Sequence, residues 1–111
     1  MKVVVVGIGE IGFALAKSLE RRGHTEIVLI DVNGERCDEL AAELDALVIN
    51  GEGSNPEILK KAQISEADAL VATTDSDAIN TVIAMLGHRF GVEKVIVKRK
   101  GVGLRSACHE I

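Results

Sequence analysis

A glycine-rich segment, residues 7–12 (G-I-G-E-I-G), directly follows the β-branched run of residues 3–6 and constrains the fold more than any other feature. The run is typical of a strand buried on both faces, and the apolar spacing after it predicts a helix that ends at Gly23. In such a unit Gly7 allows a tight turn, Gly9 lets the backbone approach a pyrophosphate, and Gly12 brings the helix close to the sheet. The segment predicts a phosphate-binding loop.

An acidic residue, Asp31, lies about 20 residues after the last glycine of this segment, at the end of the second predicted strand. A carboxylate at this position accepts hydrogen bonds from the ribose hydroxyls of a dinucleotide. It would repel a 2′-phosphate, and the adjoining Val32 and Asn33 offer no cation, so NAD is favoured over NADP. The alternative is that Asp31 only caps the following turn.

Strands and helices alternate along the chain with short loops. This order predicts an α/β fold, a Rossmann-like three-layer αβα arrangement in which a parallel sheet of strand order 3-2-1-4-5 carries helices on both faces. We expect one domain over residues 1–111, with a core over 1–100 and residues 101–111 as a tail or partial helix. The predicted strands are Lys2–Val6, Ile27–Asp31, Ala46–Asn50, Ala67–Ala72 and Lys94–Lys98.

Ligands of such folds bind at the carboxyl ends of the strands, where the strand order reverses. Those ends carry residues 50–53 (N-G-E-G), residues 73–75 (T-T-D) and Lys98. Thr73 and Thr74 suit a crevice wall near the pyrophosphate or, equally, a turn and a helix cap. Lys98 is a candidate phosphate partner, although a basic run such as residues 98–100 is more often simply solvated.

Composition excludes several classes of protein. The net charge of −4 and pI of about 5.3 argue against a nucleic-acid binder with a broad basic face. The chain is 47% hydrophobic, yet no apolar run approaches the ~20 residues that cross a bilayer. No signal peptide is apparent, so we expect a cytoplasmic protein with no membrane insertion and with Cys37 and Cys108 unpaired. Only 2% of residues are aromatic, so a bound adenine would rest on aliphatic side chains.

Residues suited to catalysis are sparse. His24 lies in a turn at the amino end of the second strand, His88 lies late in the long helix, and His109 lies near the end of the chain. The sequence shows no metal-ligand spacing and no nucleophile–base arrangement. We therefore expect binding without chemistry, with no enzyme activity, no catalytic residue and no metal. The alternatives are the cofactor-binding fragment of an NAD-dependent oxidoreductase and a scaffold that binds no nucleotide.

Four segments of the chain together resemble the TrkA N-terminal domain family, also called RCK or KTN domains. They are residues 3–19 (VVVVGIGEIGFALAKSL), 50–59 (NGEGSNPEIL), 67–80 (ADALVATTDSDAIN) and 91–98 (GVEKVIVK). The second and third segments discriminate more than the glycine motif, which ordinary dehydrogenases share. The resemblance implies a cytoplasmic regulatory subunit that binds NAD+ or NADH, or in some branches ATP or ADP, and couples binding to gating of a membrane-embedded potassium transporter or channel.

The resemblance also implies roles for single positions. It places residues 7–12 at the phosphates, Asp31 at the ribose and residues 51–53 near the adenine. It also matches Thr73 and Thr74 to contacts after the fourth strand and Lys98 to a basic residue, often Arg, after the fifth. ATP-responsive branches often carry Arg where this chain has Glu10, whose charge would repel a γ-phosphate, so the NAD(H)-binding branch is favoured. The predicted cofactor-binding residues are Gly7, Ile8, Gly9, Glu10, Ile11, Gly12, Asp31, Val32, Asn50, Gly51, Glu52, Gly53, Thr73, Thr74, Asp75 and Lys98.

Lobes of this family normally continue through further elements that assemble dimers and gating rings, whereas this sequence stops at Ile111. We expect either an excised piece or a stand-alone minimal domain, held at the inner face of the membrane through the transporter. A homo-oligomer is also expected, because the apolar width of the long helix exceeds one sheet-facing stripe. The residues concerned are Ala78, Ile79, Val82, Ile83, Met85 and Leu86.

Overall fold

Strand β1 (Lys2–Val6) lies at the centre of the sheet, and all of its residues are buried because strands flank both of its edges and helices cover both of its faces. The computed structural model describes residues 1–107; residues 108–111, which include Cys108 and His109, lie outside the described part. The other elements are α1 (Glu10–Arg22), β2 (Glu26–Asp31), α2 (Gly34–Glu43), β3 (Leu47–Asn50), α3 (Pro56–Lys61), a 3₁₀ turn (Ile64–Glu66), β4 (Ala69–Ala72), α4 (Asp77–Arg89), β5 (Lys94–Arg99) and β6 (Gly103–Ser106).

The sheet has the strand order β3-β2-β1-β4-β5-β6. Strands β1 to β5 are parallel, which confirms the predicted Rossmann-like α/β fold and the predicted order of its first five strands. Val6 pairs with Ile30 on one side and with Ala72 on the other, so these three strands end at the same level. The residues that follow them, including Gly7 and Thr73, therefore lie together at one edge of the sheet.

Alternating side chains divide the core into two layers, as expected for the predicted αβα arrangement. On one face Val5 packs in a cluster with Leu40 of α2, and α1 covers the same face. On the other face Val4 packs in a cluster with Leu59 of α3 and Ile83 of α4. The longest helices, α1 and α4, have 13 residues each. Within residues 1–107, no helix combines the length and the apolar character needed to cross a bilayer.

Residues 103–106 differ from the prediction of a tail or partial helix, since they form strand β6. A tight turn after β5 reverses the chain, with Val102 N donating to the carbonyl oxygen of Arg99 at 3.0 Å. Gly101 and Gly103 adopt φ angles of 75° and 78°, a conformation that glycine accepts without strain. The returning chain pairs antiparallel with β5, so the hydrogen bonds of the sheet edge outweigh any helical tendency of this short segment.

Candidate functional site

An open crevice of about 450 Å³ lies at the carboxyl edge of the sheet, where β1, β2 and β4 end. Its volume is in the range of small-molecule sites. Its place is also the expected one, because the strand order reverses on either side of β1. Most of the predicted cofactor-binding residues line it, namely Gly7, Ile8, Gly9, Asp31, Val32, Gly51, Glu52, Gly53, Thr73, Thr74 and Asp75.

The other predicted site residues are not part of the crevice lining. Glu10, Ile11 and Gly12 form the first turn of α1, where Glu10 and Ile11 are exposed and Gly12 is buried. Asn50 and Lys98 bond to protein groups beside the crevice. The first N–H groups of a helix have no acceptor within the helix, so the start of α1 still offers donors to an anion.

The three glycines of the first loop have different surroundings. A Cβ atom added at Gly7, whose φ is +80°, would lie 2.7 Å from the backbone nitrogen of Thr74. A Cβ added at Gly12 would lie 2.9 Å from the hydroxyl oxygen of Thr73. A Cβ added at Gly9 would meet no atom within 4 Å. Packing within the protein therefore requires the first and last glycines, whereas Gly9 leaves open space in front of the backbone.

Asp31 is half-buried at the end of β2, and both of its carboxylate oxygens accept backbone hydrogen bonds. Oδ2 accepts from Ile8 N at 2.7 Å, and Oδ1 accepts from Asn33 N at 2.9 Å. The side chain of Asn50 supports the same turn by donating to the carbonyl oxygens of Asp31 and Val32 at 3.0 and 3.1 Å. Asp31 thus holds the turn, as in the alternative interpretation. Each carboxylate oxygen also keeps a second lone pair that can accept from a ribose hydroxyl.

Arg36, in the first turn of α2, lines the crevice and was not among the predicted site residues. Its Nε donates to the carbonyl oxygen of Ile8 at 3.0 Å. Its Cζ lies 5.2 Å from the centre of the Phe13 ring, and Nη1 lies 3.8 Å from Oε1 of Glu39. These contacts connect the start of α2 to the glycine-rich loop.

The position of Arg36 makes two expectations incomplete. A bound adenine was expected to rest on aliphatic side chains, and only the adjoining Val32 and Asn33 were considered as a source of a cation, whereas Arg36 brings a planar cation to this end of the crevice. The available signal was the helix cap at Asn33, whose side chain accepts from Arg36 N at 3.1 Å. A helix that begins there turns its third residue back towards the loop after β1.

The β4–α4 loop forms the opposite wall, and its polar side chains bond to the protein. The hydroxyl of Thr73 donates to the carbonyl oxygen of Gly7 at 2.6 Å. Asn80, only 1% exposed, accepts from Thr74 N and Thr74 Oγ1 at 3.0 and 2.6 Å. Its Nδ2 donates to the carbonyl oxygens of Thr74 and Lys98 at 3.1 and 3.0 Å. The threonines therefore fix the loop, and Asn80 is a central residue that the sequence analysis did not single out.

Lys98 forms an ion pair at the end of β5, with its Nζ 3.3 Å from Oδ1 of Asp75. The side chain of Asp75 is fully exposed, whereas that of Lys98 is 20% exposed. The amine is thus directed to a carboxylate beside the crevice. Contact between Lys98 and a ligand phosphate remains a prediction.

The crevice is acidic. Arg36 is the only cation among its described lining residues, and the carboxylates that line it are Asp31, Glu35, Glu39, Glu52 and Asp75. Each carboxylate opposes a phosphate group, so ligands with few negative charges are favoured. Within residues 1–107, no group of three or more His, Cys, Asp or Glu is arranged to hold a metal ion.

A thiol lies behind the α2 side of the crevice. Cys37 Sγ lies 3.5 Å from the carbonyl oxygen of Asp31 and 3.9 Å from that of Ile49, and donates weakly to both. Burial and, second, the negative charge of Asp31 raise the pKa of the Cys37 thiol. Cys37 is therefore a neutral, packed side chain at neutral pH.

Comparison with known sequences assigns the chain to a family. The profile of the TrkA-N domain matches residues 3–101. A Trk system potassium uptake protein TrkA homolog of Methanothermobacter thermautotrophicus is 39% identical over 98 residues, which are 88% of this chain and 45% of that protein. The chain spans less than half the length of the curated relatives it matches.

Solved structures share the fold. The GsuK channel bound to NAD gives a TM-score of 0.74 at 22% identity, over 89% of this chain and 18% of that one. The Kef CTD of Shewanella denitrificans in its AMP-bound form gives a TM-score of 0.68 at 21% identity, over 80% of this chain and 52% of that one. The profile match extends over strands β1 to β5 and includes the glycine-rich loop and Asp31. The chain belongs to the TrkA-N domain family.

Proposed function

We propose that this chain is a regulatory nucleotide-binding domain of a potassium uptake system or potassium channel, with NAD+ or NADH as its ligand and with ligand binding coupled to gating. The observation that carries the proposal is the crevice itself, where Gly9 offers open backbone to a pyrophosphate and Asp31 offers a carboxylate to a ribose. The matched relatives are potassium uptake proteins, which supports the transport context. A channel bound to NAD is among the similar structures, which supports the ligand.

The charges of the crevice favour NAD+ and NADH over ATP. A triphosphate carries more negative charge than a dinucleotide, and it would meet the carboxylates of Asp31, Glu52 and Asp75. Glu10, exposed on the first turn of α1, adds to this repulsion. ATP and ADP are the alternative ligands, and the AMP-bound form of a similar structure supports an adenine nucleotide in general.

We propose binding without chemistry. His24 and His88 do not line the crevice, and its described lining holds carboxylates and one guanidinium as its charged groups. Carboxylates that hold backbone N–H groups, as Asp31 does, are poorly suited to move a proton. The cofactor-binding fragment of an NAD-dependent oxidoreductase is the alternative, and hydride transfer to or from a bound cofactor would favour it.

We propose a membrane-embedded potassium transporter or channel subunit as the partner, which would place this single domain in the cytoplasm at the inner face of the membrane. Self-association through α4 belongs to the same proposal. Ile79, Val82 and Met85 are 44%, 44% and 49% exposed, whereas Ile83 and Leu86 pack on the sheet. An exposed apolar stripe of this kind suits an interface. Light scattering that shows only monomer over a wide concentration range would overturn this part.

Calorimetric titration of NAD+, NADH, ADP and ATP into the chain tests the ligand. Gly9→Ala is the informative variant, because its new methyl group meets only open space in the free protein but would obstruct a pyrophosphate. We expect tighter binding of NAD+ or NADH than of ATP, and at least about a tenfold loss in Gly9→Ala, which is about 1.4 kcal/mol.

Gly34→Ala is the matched control, since it adds the same methyl group outside the crevice with its nearest atom at 3.7 Å. It should bind like the wild type. Asp31→Ala should weaken binding as well, through the lost ribose contact. A folded wild-type chain that binds none of the four nucleotides would overturn the proposal and support the scaffold interpretation.

A further inference from the structure

A bound adenine presents two flat faces, and no aromatic ring in the described chain lines the crevice. The chain has two phenylalanines and no Tyr or Trp. Phe90 packs on the face of the sheet covered by α3 and α4, and Phe13 packs on the opposite face, behind Arg36. Because Arg36 lines the crevice and Phe13 does not, the guanidinium is the largest planar side-chain group in this part of the described lining.

The guanidinium of Arg36 is held in place from several directions. Nε donates to the carbonyl oxygen of Ile8, the Phe13 ring lies 5.2 Å from Cζ, and Glu39 lies 3.8 Å from Nη1. The side chain is only 29% exposed. An arginine held like this has lost much of its freedom before a ligand arrives, so contact with a flat ligand costs little further entropy.

We propose that Arg36 is the stacking platform for the adenine of the bound nucleotide, an inference that rests on the proposed nucleotide-binding function. The proposed contact of Asp31 would place the ribose at this end of the crevice, and α2 begins at Gly34, after the short turn that follows Asp31. Arg36 therefore stands beside the proposed ribose position, with its guanidinium over the Phe13 ring and its side chain in the crevice lining. A weakly hydrated guanidinium stacks well on an aromatic face, whereas the ammonium of lysine offers no plane.

A role as a simple positive charge for a phosphate is less well supported. Glu39 partly neutralises the guanidinium, and Glu35 and Asp31 line the same end of the crevice. A phosphate group placed there would meet more negative than positive charge. The base of adenine carries no charge, so this surrounding does not oppose it.

Calorimetric titration of AMP, ADP and NAD+ into Arg36→Lys and Arg36→Met tests the proposal. The first variant keeps the charge and loses the plane, and the second loses both. Because all three ligands share adenosine, we expect both variants to weaken all three by about the same factor, roughly tenfold. Arg89→Lys, an exposed position on the last turn of α4, is the matched control and should bind like the wild type.

Two results would overturn the inference. Arg36→Lys that binds all three ligands as tightly as the wild type would show that the plane is not used. A loss that grows from NAD+ to ADP, in step with phosphate charge, would show a purely electrostatic role. A wild-type chain that binds none of NAD+, NADH, AMP, ADP and ATP would instead overturn the proposed function, and this inference with it. Urea unfolding of each variant confirms that the fold is retained.

Discussion

The two walls of the crevice use their polar residues differently. One wall, formed by the end of β2 and the first turn of α2 and called the α2 wall, carries Asp31 and Arg36. Asp31 keeps free lone pairs there, and Arg36 brings a planar guanidinium. On the α4 wall Thr73 and Asn80 are 3% and 1% exposed, and Thr74 is bonded to Asn80. The polar side chains of the α4 wall form their hydrogen bonds within the protein. A ligand would therefore contact mainly the backbone and the surface contour of this wall.

This difference suggests that the α2 wall mainly binds the nucleotide, whereas the α4 wall mainly stabilises the fold. A change on the α2 wall is expected to alter nucleotide affinity more than folding, because its side chains face the crevice and are partly solvated. A change on the α4 wall is expected to alter folding first, because its side chains hold β1, β4 and β5 together. The first loop lies between the walls, and its glycines divide in the same way.

Gly7→Ala should have the largest effect, because Gly7 is the point where the first loop touches the α4 wall. The new Cβ would lie 2.7 Å from Thr74 N and 2.8 Å from Thr74 Cα, at a φ of +80°. Backbone atoms cannot give way easily, so we expect a loss of about 3 kcal/mol or more in the free energy of unfolding, measured with urea. Gly9→Ala should stay within about 0.5 kcal/mol of the wild type. Equal stability of the two variants would remove the distinction between these glycines.

Asn80→Ala should have the next largest effect. It would leave Thr74 N and the carbonyl oxygen of Lys98 without their partner in a buried place, at a cost of about 2–4 kcal/mol. Asn33→Ala on the α2 wall removes the same kind of side chain from an exposed helix cap and should cost about 1 kcal/mol. Urea unfolding measures both. If Asn33→Ala cost as much as Asn80→Ala, the walls would not differ as we describe.

The fold was largely predictable because parallel strands carry a strong local signal. The run Lys2–Val6 was predicted with the limits that the structure shows. Uninterrupted β-branched runs separated by helical spacing leave few alternative topologies for a chain of this length. Strand β6 was missed because its sequence, G-L-R-S, is short and has no apolar alternation. Its pairing depends on the turn that precedes it.

The position of a site residue could be predicted only where the course of the backbone, such as the end of a strand, determines it. The glycine-rich loop and Asp31 follow from spacing, because strand ends fix where they lie. Arg36 was missed because its contact with Ile8 depends on which way the first turn of α2 faces. Asn80 was missed because its role depends on hydrogen-bond partners that only the folded chain brings close. Lys98 lies at the expected strand end, but its long side chain pairs with Asp75, a choice that strand position does not determine.

The pair of Lys98 and Asp75 lies at the rim of the α4 wall, and its removal should affect stability less than either change described above. Lys98→Met should change the free energy of unfolding by less than about 1 kcal/mol, because the carboxylate of Asp75 is fully exposed and ion pairs with a solvated partner contribute little. Asp75→Asn removes a carboxylate from the crevice lining and releases the lysine, so ADP should bind about two- to threefold more tightly. Calorimetry at low salt measures this gain, and raising the salt should reduce it. An unchanged or weaker ADP affinity in Asp75→Asn would contradict the expectation.

Substitution of Cys37 should give the smallest effect, a change in how stability depends on pH. This dependence tests how far the charge of Asp31 acts behind the α2 wall. Burial, first, and the charge of Asp31, second, raise the pKa of the Cys37 thiol. The folded state then holds this proton more tightly than the unfolded state, so the stabilising contribution is full below the unfolded pKa and is lost as pH rises through the folded pKa. In a Cys108→Ser background, stability should therefore fall more steeply over this alkaline range with Cys37 than with Cys37→Ala. Equal slopes of stability against pH in the two proteins would contradict the raised pKa. Asp31→Asn should bring these slopes closer together without making them equal, because the burial of the thiol remains.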